Sequence, residues 1–282
     1  MRFRTLVWLL RRTVVATFDD NCLAIAKGAA YSALLSFFPI LSATAAILLQ
    51  TRNELVSRTL ENTLKEIVPP GAEGLVLDQF RVSGTRPISL LIVAGIISLW
   101  AGSGVIKSLI EGFQAAYRVP RNRSFLHGGL ISMGLVIMVA VPLICASLLV
   151  LFGGQAERVV LNAMNLAPMF HPLSWIWQWI SRLARYVLAF STTVLVTSML
   201  YYFGPYRKQR WADVWRGAIL ASLGWLLATS GFGWYVRNIA NYNVVYGSVG
   251  AGIALLVWMY MMAVIALIGC EFNAEYERIG WN

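Results

Sequence analysis

Hydrophobic positions in this chain come in long unbroken blocks, with the charges gathered between them. From Gly250 to Gly269 almost every residue is apolar, and the block then stops at Glu271 and Asn273. A run of about 20 apolar residues spans a bilayer core, so this stretch predicts a membrane-crossing helix whose end is marked by those two polar side chains. Five earlier blocks follow the same rule. The predicted spans are 28–50, 87–110, 129–152, 183–203, 217–236 and 249–270. Small residues such as Gly28, Ala29, Ala30 and Ser32 crowd the first turns of the first span, which suits close helix approach. Pro39 and Pro142 lie inside spans and predict tolerated kinks.

Two segments break the pattern in different ways. Residues 1–20 alternate Arg2, Arg4, Arg11 and Arg12 with Phe3, Leu6, Val7, Trp8, Leu9 and Leu10, a basic amphipathic helix suited to the membrane surface. The apolar run is cut by Arg11 and Arg12 before it reaches signal-peptide length, so the segment reads as uncleaved. The stretch 51–87 balances Arg52, Arg58, Lys65, Arg81 and Arg86 against Glu54, Glu61, Glu66, Glu73 and Asp78. It reads as an outer loop, with short amphipathic helices on either side of Pro69-Pro70-Gly71.

Composition agrees with the blocks. Hydrophobic residues make up 58% of the 282 and charged ones 13%, where a soluble domain is about one quarter charged. Mean hydropathy is +0.66. The expected fold class is all-α: a polytopic bundle of six transmembrane helices forming a single membrane domain over 1–282. The net charge of +10 follows from the excess of Lys and Arg in cytoplasmic loops and needs no nucleic acid partner. Basic residues fall at the N-terminus, after span two (Arg118, Arg121, Arg123) and after span four (Arg207, Lys208, Arg210). With an even number of spans, both termini are expected in the cytoplasm, and those six residues are candidate contacts for anionic lipid head groups.

Chemistry is sparse. Cys22, Cys145 and Cys270 are too scattered for a disulfide framework, and His127 with His171 gives no metal spacing. No phosphate-binding glycine motif occurs. No catalytic residue, metal or cofactor is therefore expected, and an enzyme is not the reading. The least ordinary charge at membrane depth is Lys107, with Glu111 four residues later on the same helix face, where a paired anchor and part of a substrate pathway are both open. With Glu271 and Asn273 they form the candidate polar cluster, and topology puts Lys107, Glu111 and Glu271 near one membrane face, where they are expected to meet across helices.

Several local strings carry a resemblance. They are Ala29-Ala30-Tyr31-Ser32-Ala33-Leu34-Leu35-Ser36-Phe37-Phe38-Pro39, Glu111-Gly112-Phe113-Gln114-Ala115-Ala116-Tyr117, Tyr201-Tyr202-Phe203-Gly204-Pro205, Trp258-Met259-Tyr260 and Gly269-Cys270-Glu271-Phe272-Asn273-Ala274. In these the chain resembles the YihY/BrkB family of six-span bacterial inner-membrane proteins, formerly labelled ribonuclease BN. It departs at Cys270, where the family more often has Ala. The resemblance implies an inner-membrane protein, with some members tied to virulence through serum resistance and others to envelope lipids. The expected function is movement or handling of an envelope lipid or another amphiphile, in the manner of a transporter or flippase. The alternative is a non-catalytic scaffold that gathers envelope-assembly proteins through the 51–87 loop. The older nuclease label lacks the clustered carboxylates or histidine pair that phosphodiester hydrolysis calls for. The sequence leaves the oligomeric state open.

Overall fold

A computed structural model describes residues 3–51, 88–119, 125–163, 174–238 and 248–280. The outer-loop helices expected within 52–87 lie outside the described residues, as do Arg121 and Arg123. Seven helices make up the described chain: α1 Phe3–Asp19, α2 Cys22–Thr51, α3 Ile88–Ala116, α4 Phe125–Ala163, α5 Ser174–Phe203, α6 Trp211–Asn238 and α7 Ser248–Gly280. No strand occurs among the described residues. All but α1 are long and apolar enough to cross a membrane.

The helices outrun the apolar blocks that announce them. α5 starts at Ser174, before the predicted span 183–203, and so takes in Trp175, Trp177 and Trp179. α7 continues past its apolar block to Gly280. A helix satisfies its own backbone groups whatever solvent surrounds it, so hydropathy marks where the bilayer starts and stops rather than where the helix does. Pro39 and Pro142 sit within unbroken α2 and α4.

α7 is the axis of the bundle, packing on α1, α2, α3 and α6, while α3, α4, α5 and α6 follow one another around it. Burial is inverted relative to a soluble protein. Trp100, Leu130 and Leu227 are exposed, whereas the centre is built from Ala26, Ala29, Ala218, Ala221 and Ala266 around Tyr201. Lipid tails are as apolar as leucine, so burying large apolar side chains between helices gains little, and small residues that bring backbones together carry the packing. Gly217 and Gly269 face each other where α6 crosses α7: a Cβ on Gly269 would lie 2.7 Å from the Gly217 carbonyl oxygen. Tyr201 Oη bridges α5 to α7 by donating to the Ala266 carbonyl at 2.6 Å.

α1 lies against α7 and α2. Its inward face is Leu9, Thr13, Ala16 and Thr17, and both threonines return their hydroxyls to their own helix. Val7, Leu10, Val14 and Phe18 point outward. α1 is thus amphipathic, as expected from the sequence, with one face packed on the bundle and an apolar face exposed. Asn21, at φ 54°, makes the bend into α2, a left-handed conformation that asparagine tolerates better than most residues.

Candidate polar site at the end of the central helix

The last turns of α7 carry charge into the protein interior. Glu271, Asn273 and Glu275 are all buried. Glu271 and Glu275, four residues apart, share one face of the helix one turn above the other, and Asn273 between them points to another.

Asn273 turns to α6. Its Oδ1 accepts from the Gly217 amide at 2.7 Å and its Nδ2 donates to the Val214 carbonyl at 2.8 Å. Glu271 turns to the start of α2, where the Cys22 thiol donates to Oε1 at 3.4 Å. Its second oxygen, Oε2, is buried and has no hydrogen-bond partner among the described residues, and the Asp20 carboxyl is close enough to interact with it. Described contacts thus take Glu271 to α2 and Asn273 to α6 rather than bringing the two together.

Glu275 turns to α1 and is clasped from both sides. Arg278, one turn on, donates to its Oε1. Arg12 Nε approaches Oε2 at 3.0 Å, a charge contact rather than an aligned hydrogen bond. Arg278 Nη2 also donates to the Ala116 carbonyl at 2.7 Å, placing a cation where the C-terminal carbonyls of α3 are short of donors. Beyond them, Arg207 pairs with Glu277 and lies 4.4 Å from the centre of the Tyr117 ring. Burial pushes the Tyr117 phenol well above its ordinary range, so the ring faces the guanidinium as a neutral π surface.

Two cavities open at this end. The larger, about 610 Å³, lies between Trp8, Arg12, Tyr117, Arg207, Glu277 and Ile279. The smaller, about 330 Å³, lies between Arg11, Val15, Asp19, Asp20 and Arg118. Trp8, Arg12, Glu275 and Arg278 belong to both and form the wall between them. Both cavities set charged groups beside aromatic and aliphatic ones, next to the exposed apolar face of α1.

The other site residues singled out in the sequence join neither Glu271 nor Asn273 in any described hydrogen bond. Lys107 is half-buried on α3 and faces the start of α4, where a Cβ on Gly129 would stand 3.5 Å from its Nζ; Glu111 is exposed. Both are engaged by neighbours. Arg118 lines the smaller cavity, and Lys208 and Arg210 are exposed. Sequence reasoning missed Glu275, Glu277, Arg278 and the role of Arg12 as site residues. The i, i+3 spacing of Glu275 and Arg278 is the one local signal that pointed to a pair.

Comparison with known proteins places these features in context. A family model described as virulence factor BrkB matches residues 14–280. The chain is 31% identical over 254 residues to a putative ribonuclease-like protein, YfkH, of Bacillus subtilis, covering 88% of each. It is 27% identical to a UPF0761 membrane protein of Laribacter hongkongensis, covering 97% of this chain and 60% of that one. To a UPF0761 membrane protein of Alkalilimnicola ehrlichii it is 26% identical, covering 90% and 55%. The chain therefore spans little more than half the length of those two relatives. No solved structure matches it.

Proposed function

The chain belongs to the BrkB virulence factor family of membrane proteins, and from that premise we propose that it handles an amphiphile of the bacterial envelope, holding the polar head where α1 meets the end of α7. One observation carries the reading: the 610 Å³ cavity, whose walls combine Arg12, Arg207, Glu275 and Glu277 with Trp8 and Ile279. In this reading the protein sits in the inner membrane with both termini in the cytoplasm, so the cavity faces the inner leaflet. It acts by binding and moving its ligand, without a bond-making step. Glu275 and Glu277 are bound to arginines, an arrangement that suits a charge-lined vestibule better than phosphodiester hydrolysis, for which carboxylates must be free to take a metal or a proton.

The test is transbilayer movement of a headgroup-labelled phospholipid in proteoliposomes. The wild-type protein is expected to accelerate it over protein-free vesicles, and Arg207→Ala or Trp8→Ala to remove most of the gain while the variant still purifies as a folded monodisperse species. Movement equal to that in empty vesicles, with the protein folded and correctly inserted, would overturn the transport reading and leave the scaffold alternative.

A further inference from the structure

The smaller cavity has a charge pattern that the larger one lacks. In the larger cavity every charged side chain is already committed: Arg207 to Glu277, and Arg12 and Arg278 to Glu275. That second group also borders the smaller cavity, but four further charged residues there, Arg11, Arg118, Asp19 and Asp20, take part in no ion pair among the described residues. They are two cations and two anions. Arg11, Asp19 and Arg118 are exposed at its mouth and Asp20 is half-buried, and four charges of two signs around one cavity of about 330 Å³ form a set that a ligand of both signs would complete.

Their arrangement separates the signs. Arg11, Val15 and Asp19 lie in one row along α1, at i, i+4 and i+8, so the cationic and acidic ends of the row are divided by an aliphatic residue. Arg118 joins from the turn after α3, where its own φ of 54° makes the bend. Asp20 stands at the opposite end beside Glu271, whose buried Oε2 has no donor among the described residues. Two neighbouring carboxyls with an unanswered oxygen call for a donor of positive charge. A purely anionic head would be opposed by Asp19 and Asp20, and a simple amine by Arg11 and Arg118.

We infer that the smaller cavity takes a zwitterionic head, a phosphate ester carrying a primary ammonium, with phosphate against Arg11 and Arg118 and ammonium against Asp19 and Asp20. The inference rests on the amphiphile reading and names its headgroup class. Val14 and Phe18, exposed on the outer side of α1 at 52% and 61%, continue the site toward the acyl chains.

The experiment measures lipid binding to the purified full chain in micelles by native mass spectrometry, with phosphatidylethanolamine, phosphatidylglycerol, soluble glycerophosphoethanolamine and inorganic phosphate as probes. Phosphatidylethanolamine is expected to bind about tenfold more tightly than phosphatidylglycerol, the scale of one charge-assisted contact. Asp19→Asn with Asp20→Asn should erase that preference, whereas Arg118→Ala should weaken both lipids. Asp19→Asn alone, at an exposed position, carries the same test if the double variant does not fold. Competition by glycerophosphoethanolamine at concentrations equal to the lipid supports the headgroup chemistry and assigns a soluble source; competition by inorganic phosphate alone overturns the ammonium subsite. Tighter binding of phosphatidylglycerol overturns the zwitterion while sparing the amphiphile reading, and absence of binding by either lipid overturns both.

Discussion

Replacing Gly217 by alanine tests whether the α6–α7 crossing is held by backbone proximity. The added Cβ would lie 2.6 Å from Asn273 Cγ and would overlap the Gly269 carbonyl oxygen. Ordinary carbon contacts sit at about 3.5–4.0 Å, so the helices must part by roughly 1 Å. That displacement carries the Gly217–Asn273 and Asn273–Val214 bonds, now 2.7 and 2.8 Å, beyond the length at which such bonds hold. Overpacking costs about 1–3 kcal/mol, and each lost polar contact between membrane helices about 0.6 kcal/mol. The total is about 2–4 kcal/mol, a fall in Tm on the order of 10 °C by the scaling for domains of comparable size. Gly231 on the same helix is the control, since a Cβ there meets nothing within 4 Å, and alanine raises helix propensity by up to about 1 kcal/mol. Thermal unfolding in detergent, followed by tryptophan fluorescence and by size exclusion, should put Gly217→Ala well below wild type and Gly231→Ala at or above it. Equal melting of the two variants would refute the reasoning.

The site makes three further predictions. Arg278→Ala should destabilise by about 3–5 kcal/mol, because it strips the buried Glu275 of its main partner; Arg12→Ala, whose side chain is 53% exposed, should cost no more than about 1 kcal/mol. Urea unfolding in mixed micelles measures the difference, and equal losses would mean that Glu275 does not depend on Arg278. Tyr201→Phe leaves the Ala266 carbonyl without its side-chain donor and should lower stability by about 1 kcal/mol, seen as a small drop in Tm with no change in oligomeric behaviour; an unchanged Tm counts against the bridge. Glu271→Gln keeps the oxygen that accepts from Cys22 while relieving the charge opposed to Asp20, so the variant should melt no lower than wild type, and a clear drop would show that the carboxylate itself is needed.

The six spans and α1 are legible because hydropathy over about 20 residues responds to one large term, the transfer of a helix into lipid. The arrangement of the spans is not legible in the same way. In a soluble helix the apolar stripe names the buried face, but the membrane-crossing blocks of α2, α4 and α7 are apolar all round, and lipid and protein interior look alike to them. The cue that survives is the small residue: Gly28, Gly104, Gly112, Gly217 and Gly269 mark helix contacts far better than any leucine does. Glu271 and Asn273 stood out in the sequence as polar residues ending an apolar run, and the structure makes them buried ties to α2 and α6. Glu275 and Glu277 carry no such mark, since nothing local tells that α1 and the turn before α6 return to meet them. Such long-range returns are set by topology, and the site made of them is read only when the chain is folded.

The central position of α7 has a consequence for how the protein comes into being. α1 precedes the other described helices in the chain, yet the surface it docks on is largely α7, the last of the seven. Until α7 inserts, Gly217 and Val214 lack the Asn273 amide that binds them, the α3 end lacks the arginine that caps it, and Arg12 has no Glu275 to meet. The contacts that join α1, α2, α3 and α6 through α7 therefore form only once α7 is in place, a late step that joins both ends of the described chain.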